Sequence, residues 1–478
     1  MNISKKAVLS GMSLLMILGA VGCTGKGAPQ PIFPDSPGEM AMYDTSILHA
    51  EEKWTVNNAH DPGIIKTEDG YYIFSTDVKV GGEPQPGVMV RKSQDLIRWQ
   101  WVGYALPGIP EEAGAWSGAV NLWAPDVVKH GDEYRLYYSA STFGSRQSMI
   151  GMATSKSIEG PWKDQGAVLK TRSEDVLNAI DPNIITDADG RMWMVYGSFF
   201  GGIHIIELDP ETGKPGEKGF GTRIAARDPI SEDGAVEGPY IIYNEKLNKY
   251  YLFVSYDSLF EDYNVRVARS DKITGPYVDY NGREMTDIGF EPQYEVGTKI
   301  LGGYKFGEDE GWIAPGHNSV LKDGDEYYIV HHARGEVDKH WSYLHIRKIL
   351  WTEDGWPVVS PERYAGEQEQ DIPEALIAGA WERIEIDPFI DGLIESDQLI
   401  LHPKGKLEGS RGQGTWKFDG RRTVTLTWND VAEGEGKSAS VQLLPSWDWE
   451  KGGQTLVFTG LDERGVSIWG KQKAQPES

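Results

Sequence analysis

Ala59-His60-Asp61-Pro62-Gly63-Ile64-Ile65, followed by Glu68-Asp69-Gly70-Tyr71-Tyr72-Ile73-Phe74-Ser75, reads as a polar start, an apolar run, an Asp-Gly turn and an aromatic-rich run. An Asp-Gly pair between two such runs is a strong signal for a β-hairpin. The phrase recurs four times. Ala124-Pro125-Asp126-Val127-Val128 leads to Gly131-Asp132-Glu133-Tyr134, and Asp181-Pro182-Asn183-Ile184-Ile185 leads to Asp189-Gly190-Arg191-Met192-Trp193. Gly238-Pro239-Tyr240-Ile241-Ile242 leads to Lys249-Tyr250-Tyr251, and Pro315-Gly316-His317-Asn318-Ser319-Val320 leads to Asp323-Gly324-Asp325-Glu326-Tyr327. The five prolines are 63, 57, 57 and 76 residues apart. Later halves such as Val88-Met89-Val90-Arg91 and Val265-Arg266-Val267-Ala268 supply further strands. Repeats of this size, rich in short strands, predict an all-β fold with a five-bladed β-propeller, four strands to a blade around a channel. A solenoid is the alternative, but helical periodicity is almost absent.

The chain has 478 residues, which points to two domains. Its net charge of −25 argues against nucleic acid as a partner, because phosphate binding needs clustered cations. The single cysteine, Cys23, allows no intramolecular disulfide. Residues 1–23 read as a secretory signal: Lys5 and Lys6 precede an apolar run over residues 7–21. Ala20-Val21-Gly22-Cys23 resembles a bacterial lipobox, which would leave Cys23 lipidated; ordinary cleavage nearby is the other reading. Residues 24–45, which include a stretch rich in Pro and Gly, read as a flexible tether, and any membrane contact is expected only through the lipid anchor.

The propeller is expected over residues 46–365. Residues 364–373 read as a polar, acidic linker. Beyond it, over residues 372–478, segments such as Trp381-Glu382-Arg383-Ile384, Gly414-Thr415-Trp416-Lys417-Phe418 and Val466-Ser467-Ile468-Trp469 alternate apolar and polar. They predict a small antiparallel barrel or sandwich. Its tryptophans would bind sugar if exposed, or form the core if buried.

In a propeller the first strand of each blade lines the channel, so polar residues at its start converge on one mouth. Asp61 and Asp181 each stand one residue before a proline, and Glu237 stands two before Pro239. Folding does not need three carboxylates facing one another, because like charges at close quarters raise each other's pKa and cost stability. One such acid capping a turn would be ordinary; the set is not. Asp126 lies one residue after its proline and reads as structural.

His60-Asp61-Pro62, Trp123-Ala124-Pro125-Asp126, Asn178-Ala179-Ile180-Asp181-Pro182, Gly197-Ser198-Phe199-Phe200-Gly201-Gly202-Ile203 and Val236-Glu237-Gly238-Pro239 resemble glycoside hydrolase family 43, and within it the extracellular endo-α-1,5-L-arabinanases with an extra C-terminal β domain. The resemblance implies a secreted enzyme that cuts internal bonds of arabinan, a pectin side chain, with inversion. It implies Asp61 as general base, Glu237 as general acid and Asp181 as the residue that orients Glu237 and keeps its pKa high. An inverting pair stands about 6.5–9.5 Å apart, with room for water. The resemblance also implies sugar contacts at Asp61, Asn178, Asp181, Ser198, Phe199, Phe200 and Gly144. Trp123 would either stack on a furanose or sit in a blade core. His317 matches a histidine that reaches a metal, usually calcium, in the channel. Calcium prefers oxygen ligands, so water would have to complete its shell.

Two other readings stay open. One is an exo-acting α-L-arabinofuranosidase or β-xylosidase on the same scaffold; the other is a lectin-like propeller that binds glycans without cleaving them. The expected partner is arabinan or arabino-oligosaccharide, and the chain is expected to act as a monomer.

Overall fold

Each copy of the repeated phrase folds as the hairpin its turn residues demand. In the computed structural model, which describes residues 30–473 except 217, 231, 433 and 434, Gly63–Thr67 pairs antiparallel with Gly70–Ser75, and Thr67 lies opposite Gly70. Met89–Ser93 and Trp99–Tyr104 complete the first blade. The second holds Trp123–His130, Glu133–Ala140, Met149–Ser155 and Lys163–Lys170 in order. The third is built on Asn183–Thr186, Met192–Tyr196 and Ile203–Asp209, whose outer edge takes both Lys214–Pro215 and Thr222–Ala225. The fourth runs through Val236–Asn244, Lys249–Tyr256, Asn264–Ser270 and Thr298–Leu301. The fifth contains Trp312–Asp323, Glu326–Gly335, Ser342–Trp351 and Pro357–Val359. Gly303–Lys305 joins its sheet and pairs in parallel with Leu393–Glu395. The fold is the expected five-bladed propeller.

One backbone feature repeats around the ring. The residue before each of the five prolines lies in the left-handed region: Asp61 at φ 49°, Ala124 at 39°, Asp181 at 59°, Gly238 at 57° and Ala314 at 49°. Such a conformation costs an L-residue about 1–2 kcal/mol, so packing must impose it. It bends the chain sharply at the entry to each innermost strand.

One residue further on, side chains tie blade to blade. The buried Asp126 carboxylate accepts from the Ile184 amide at 2.6 Å and from Asn183 Nδ2 at 3.2 Å. The Asn183 Oδ1 accepts from the Ile241 amide at 2.9 Å, and the Tyr240 hydroxyl bonds the backbone of Val320. In the first blade the equivalent residue is Gly63, where a Cβ would lie 2.3 Å from the Pro125 carbonyl oxygen. Between the last blade and the first, the Ser319 hydroxyl donates to the Pro62 carbonyl oxygen at 2.5 Å. Around it Ile64, Ile73 and Trp99 pack on Leu321, Val330 and Leu344.

The C-terminal strands Gly379–Ile386, Asp397–His402, Lys406–Gly409, Gly412–Phe418, Thr423–Trp428, Ser438–Asp448, Gly453–Asp462 and Ser467–Gln472 close into an antiparallel barrel. Trp381, Trp416, Trp428 and Trp469 are buried. The reading of these tryptophans as a sugar-binding face therefore fails; they fill and seal the barrel. Trp469 also packs with Tyr304, Ile384 and Ile386 in a core that spans both domains. The Lys471 ammonium is buried 2.9 Å from Glu362 and 3.3 Å from Asp448, and Arg363 pairs with Glu450 at 2.9 Å.

Two expected loose segments are docked. Of the expected tether, residues 30–45 lie against the protein: Ile32 exchanges hydrogen bonds with Gln370, and Tyr43 packs against Trp341 and Tyr343. The expected linker buries Ala365, Glu367 and Ile372. Their polar composition concealed them because their partners are far apart in sequence. Residues 1–23, expected to be a signal peptide ending at Cys23, lie outside the described residues.

Asp126→Ala leaves the buried Ile184 amide without its acceptor. The expected loss is about 1–3 kcal/mol in denaturant unfolding, with Asp126→Asn falling between that variant and the parent.

Candidate active site

The left-handed kinks deliver Asp61 and Asp181 to one channel mouth, where they line a cavity of about 840 Å³. In the fourth blade Gly238 takes the kink, so the acid stands one residue earlier, at Glu237. This explains the offset of the three acids relative to their prolines. Trp123, Gly144, Asn178, Ser198, Phe199, Phe200 and His317 line the same cavity. All ten residues singled out in the sequence thus meet in one place.

Asp61 stands in a nest of donors. The Thr76 hydroxyl donates to Oδ2 at 2.6 Å. His60 Nδ1 lies 2.7 Å from Oδ1, off the line of an ideal hydrogen bond, and His317 Nδ1 lies 3.2 Å from it. His332 Nδ1 accepts from the Asp61 amide at 3.3 Å, and its ring stacks on that of His60 at 3.7 Å. Burial pushes the Asp61 carboxyl up, but His317, His60 and His332 outweigh it and hold it well below the usual range. Asp61 is therefore an anion across the neutral range.

Asp181 and Glu237 are in the opposite condition. The Asp181 amide donates to Ser139 Oγ at 2.9 Å, and its Oδ2 accepts from the Gly238 amide at 3.2 Å. Burial pushes its carboxyl well up, and the charges of Glu237 and Asp61 add to the effect. Glu237 accepts from the Ser198 hydroxyl and the Tyr263 hydroxyl, each at 2.8 Å. Burial raises it too, beyond what His317 and these two donors lower. As a pair, Asp181 and Glu237 hold a proton to higher pH than an ordinary carboxylate, because both cannot easily carry charge together.

The other cavity residues have distinct settings. Phe199 and Phe200 are both left-handed, at φ 51° and 43°, and Phe200 is 41% exposed with the Arg146 guanidinium 5.0 Å from its ring. Trp123 is half-buried on the cavity wall rather than in a blade core, and its indole donates to Asn121 at 2.9 Å. Asn178 accepts from the Ser148 hydroxyl at 2.5 Å. Gly144 forms a left-handed turn beside Phe143, which is 76% exposed.

His317 uses Nδ1 on Asp61, while Nε2 makes no protein hydrogen bond among the described residues. That leaves one imidazole nitrogen open at the cavity wall. The donor set fits a cation only if water supplies most of its ligands. Among the described residues two tight groups of metal-type side chains occur: His60, Asp61 and His332 beside His317, and Glu362, Asp448 and Glu450, which surround Lys471 instead.

Tyr263, Thr76, His332 and Arg334 were not foreseen, and His60 was seen only as part of a phrase. Tyr263 comes from outside the repeated phrase and fits because Gly316 has no side chain: a Cβ there would stand 2.0 Å from its ring. Thr76 and His332 sit in or beside second strands, where the repeat carries no fixed polar position.

Residues 55–357 match the model for glycosyl hydrolases family 43, and residues 361–470 match its C-terminal lipocalin-like domain. The chain is 34% identical over 476 residues to an extracellular endo-alpha-(1->5)-L-arabinanase of Thermotoga petrophila, covering 89% of this chain and 96% of that protein. It is 32% identical over 460 residues to the extracellular endo-alpha-(1->5)-L-arabinanase 2 of Bacillus subtilis, covering 87% and 93%. The crystal structure of the Thermotoga petrophila endo-1,5-alpha-L-arabinanase superposes with a TM-score of 0.77 at 33% identity, over 88% of this chain and 99% of that one. With both domains matched in order and three acids gathered at one channel mouth, the chain belongs to glycosyl hydrolase family 43.

Proposed function

We propose that this protein is an extracellular endo-α-1,5-L-arabinanase that hydrolyses its substrate with inversion. The observation that carries the mechanism is the split in proton affinity across the channel mouth: Asp61 is held ionised, while the Asp181–Glu237 pair retains a proton. A glycosidase needs one carboxylate of each kind. Asp61 takes a proton from water as that water attacks the anomeric carbon. Glu237 gives its proton to the departing glycosidic oxygen. Asp181 shares the proton of the pair and, through the Gly238 amide, holds the backbone beside Glu237. Three acids are one too many for a retaining pair, whose nucleophile and acid suffice. The names of the full-length relatives support both the substrate and the extracellular location.

Linear debranched arabinan should give a ladder of oligosaccharides; arabinose alone would make the enzyme exo-acting. Proton NMR of the first product should show the β anomer, and early α anomer would exclude inversion. Asp61→Ala and Glu237→Ala should each lower turnover by about 10²–10⁴-fold while unfolding as the parent does.

Asp181→Asn keeps shape but removes a charge that helps hold a proton on the pair. Glu237 then loses its proton at lower pH, so the alkaline limb of the rate profile should move down and the maximum rate should fall. A limb that stays in place would remove Asp181 from this role.

We also propose that His317 holds a hydrated cation, calcium by resemblance, through its open nitrogen. The ion would supply positive charge beside the carboxylates. Prolonged chelation should lower the melting temperature, because an ion bound only by the folded state stabilises it by mass action. An unchanged melting curve and unchanged activity would exclude the ion.

A further inference from the structure

Imidazoles hold the Asp61 carboxyl low, and each of them that stays neutral leaves Asp61 a stronger base. A protonated His60 would hold a full positive charge against the carboxylate that must accept a proton. What prevents this is the group on the far side of His60. Arg334 Nη2 lies 3.1 Å from His60 Nε2. A guanidinium has donors only. Burial lowers the Arg334 pKa to about 10, so it is charged at neutral pH and still donates. His60 Nε2 must therefore present its lone pair, and the ring's one proton must sit on Nδ1, the nitrogen 2.7 Å from Asp61 Oδ1. An imidazolium at His60 would set an N–H against an N–H and a cation against a cation.

We propose that Arg334 is a positioning residue that locks His60 as the neutral Nδ1–H tautomer, so that His60 turns an N–H and no positive charge toward Asp61. The remaining Arg334 bonds give the lock a second end. Nε donates to the Leu259 carbonyl at 2.9 Å and Nη1 to the Lys339 carbonyl at 2.7 Å, and the guanidinium lies 4.9 Å from the Phe260 ring. Leu259, Phe260 and Asp338 line the cavity. Arg334 thus joins two segments of the cavity rim, from the fourth and fifth blades, to the tautomer of one histidine. His60 is further held by the stacked His332 ring, which accepts from the Asp61 amide and so is itself unprotonated at Nδ1.

The inference rests on Asp61 being the base, but its first test does not use activity. The full chain, labelled with ¹⁵N in its histidine rings, should show His60 at neutral pH with a protonated Nδ1 and a bare Nε2; His60→Gln identifies the signal. The Nε2–H tautomer or an imidazolium in the parent protein would overturn the proposal even if the enzyme proves to be an arabinanase. Arg334→Met should lose the single tautomer and lower kcat by about tenfold or more, within the range set by general base catalysis. His60→Gln combined with Arg334→Met should lose little beyond His60→Gln alone, since residues acting through one another are not additive. Additive losses, or a parent-like tautomer in Arg334→Met, would show that Arg334 serves only the rim. If Arg334→Met does not fold, Arg334→Lys retains the charge, and the parent spectrum still decides.

Discussion

The site depends on a left-handed kink placed immediately before proline. Without it the innermost strands would enter the channel straight, and their first side chains would alternate between neighbouring blades instead of crowding one mouth. Proline fixes the residue that follows the kink, and hydrogen bonds around the mouth hold the residue in it. The Asp61 amide is bonded by His332 and the Asp181 amide by Ser139. The strain is distributed over five equivalent positions, of which only one is glycine. Where glycine occupies the kink, the acid moves back one residue, and the adjoining Gly238 amide becomes a donor to Asp181.

From this scaffold follows the separation of two kinds of carboxylate. All three acids are taken out of bulk water, which by itself would raise all three. Asp61 has the ring nitrogens of His60 and His317 and the Thr76 hydroxyl at its oxygens. Glu237 has two neutral hydroxyl donors, and Asp181 one amide. Geometry that is nearly repeated around the ring thus yields unlike chemistry, because the blades differ in what stands behind the kink.

Much of this was legible in the chain. The Asp-Gly and Gly-Asp turns between aromatic runs announced the hairpins, and the spacing of the prolines announced the ring. Asp61, Asp181 and Glu237 stood out because the repeat made their positions comparable. His332 beside Asp61 and the arginine behind His60 stayed hidden for the complementary reason. His332 and Arg334 lie in the second strand of the last blade, more than 250 residues from Asp61, with no counterpart in the other blades to mark them. The docked segments were missed similarly: Glu367 and Ile32 look like solvated chain until folding brings their partners near. In the barrel, alternation revealed strands but could not tell tryptophans facing inward from those facing out.

Apart from Leu393–Glu395 at the edge of the fifth sheet, each blade is made from consecutive chain, and the two ends of the ring meet through an isolated Asn57–Tyr343 bridge rather than a shared strand among the described residues. The ring is therefore fastened rather than knitted, by the Ser319–Pro62 bond, an apolar seam and the docked residues ahead of the first blade. That seam runs through the nest of Asp61, which belongs to the first blade while His317 and His332 belong to the last. A breath at the fastening would part the carboxylate from His317 and His332 while every blade stayed intact. The nest of Asp61 thus exists only while the circle is shut, and the segments that looked like packaging around the propeller act as its clasp.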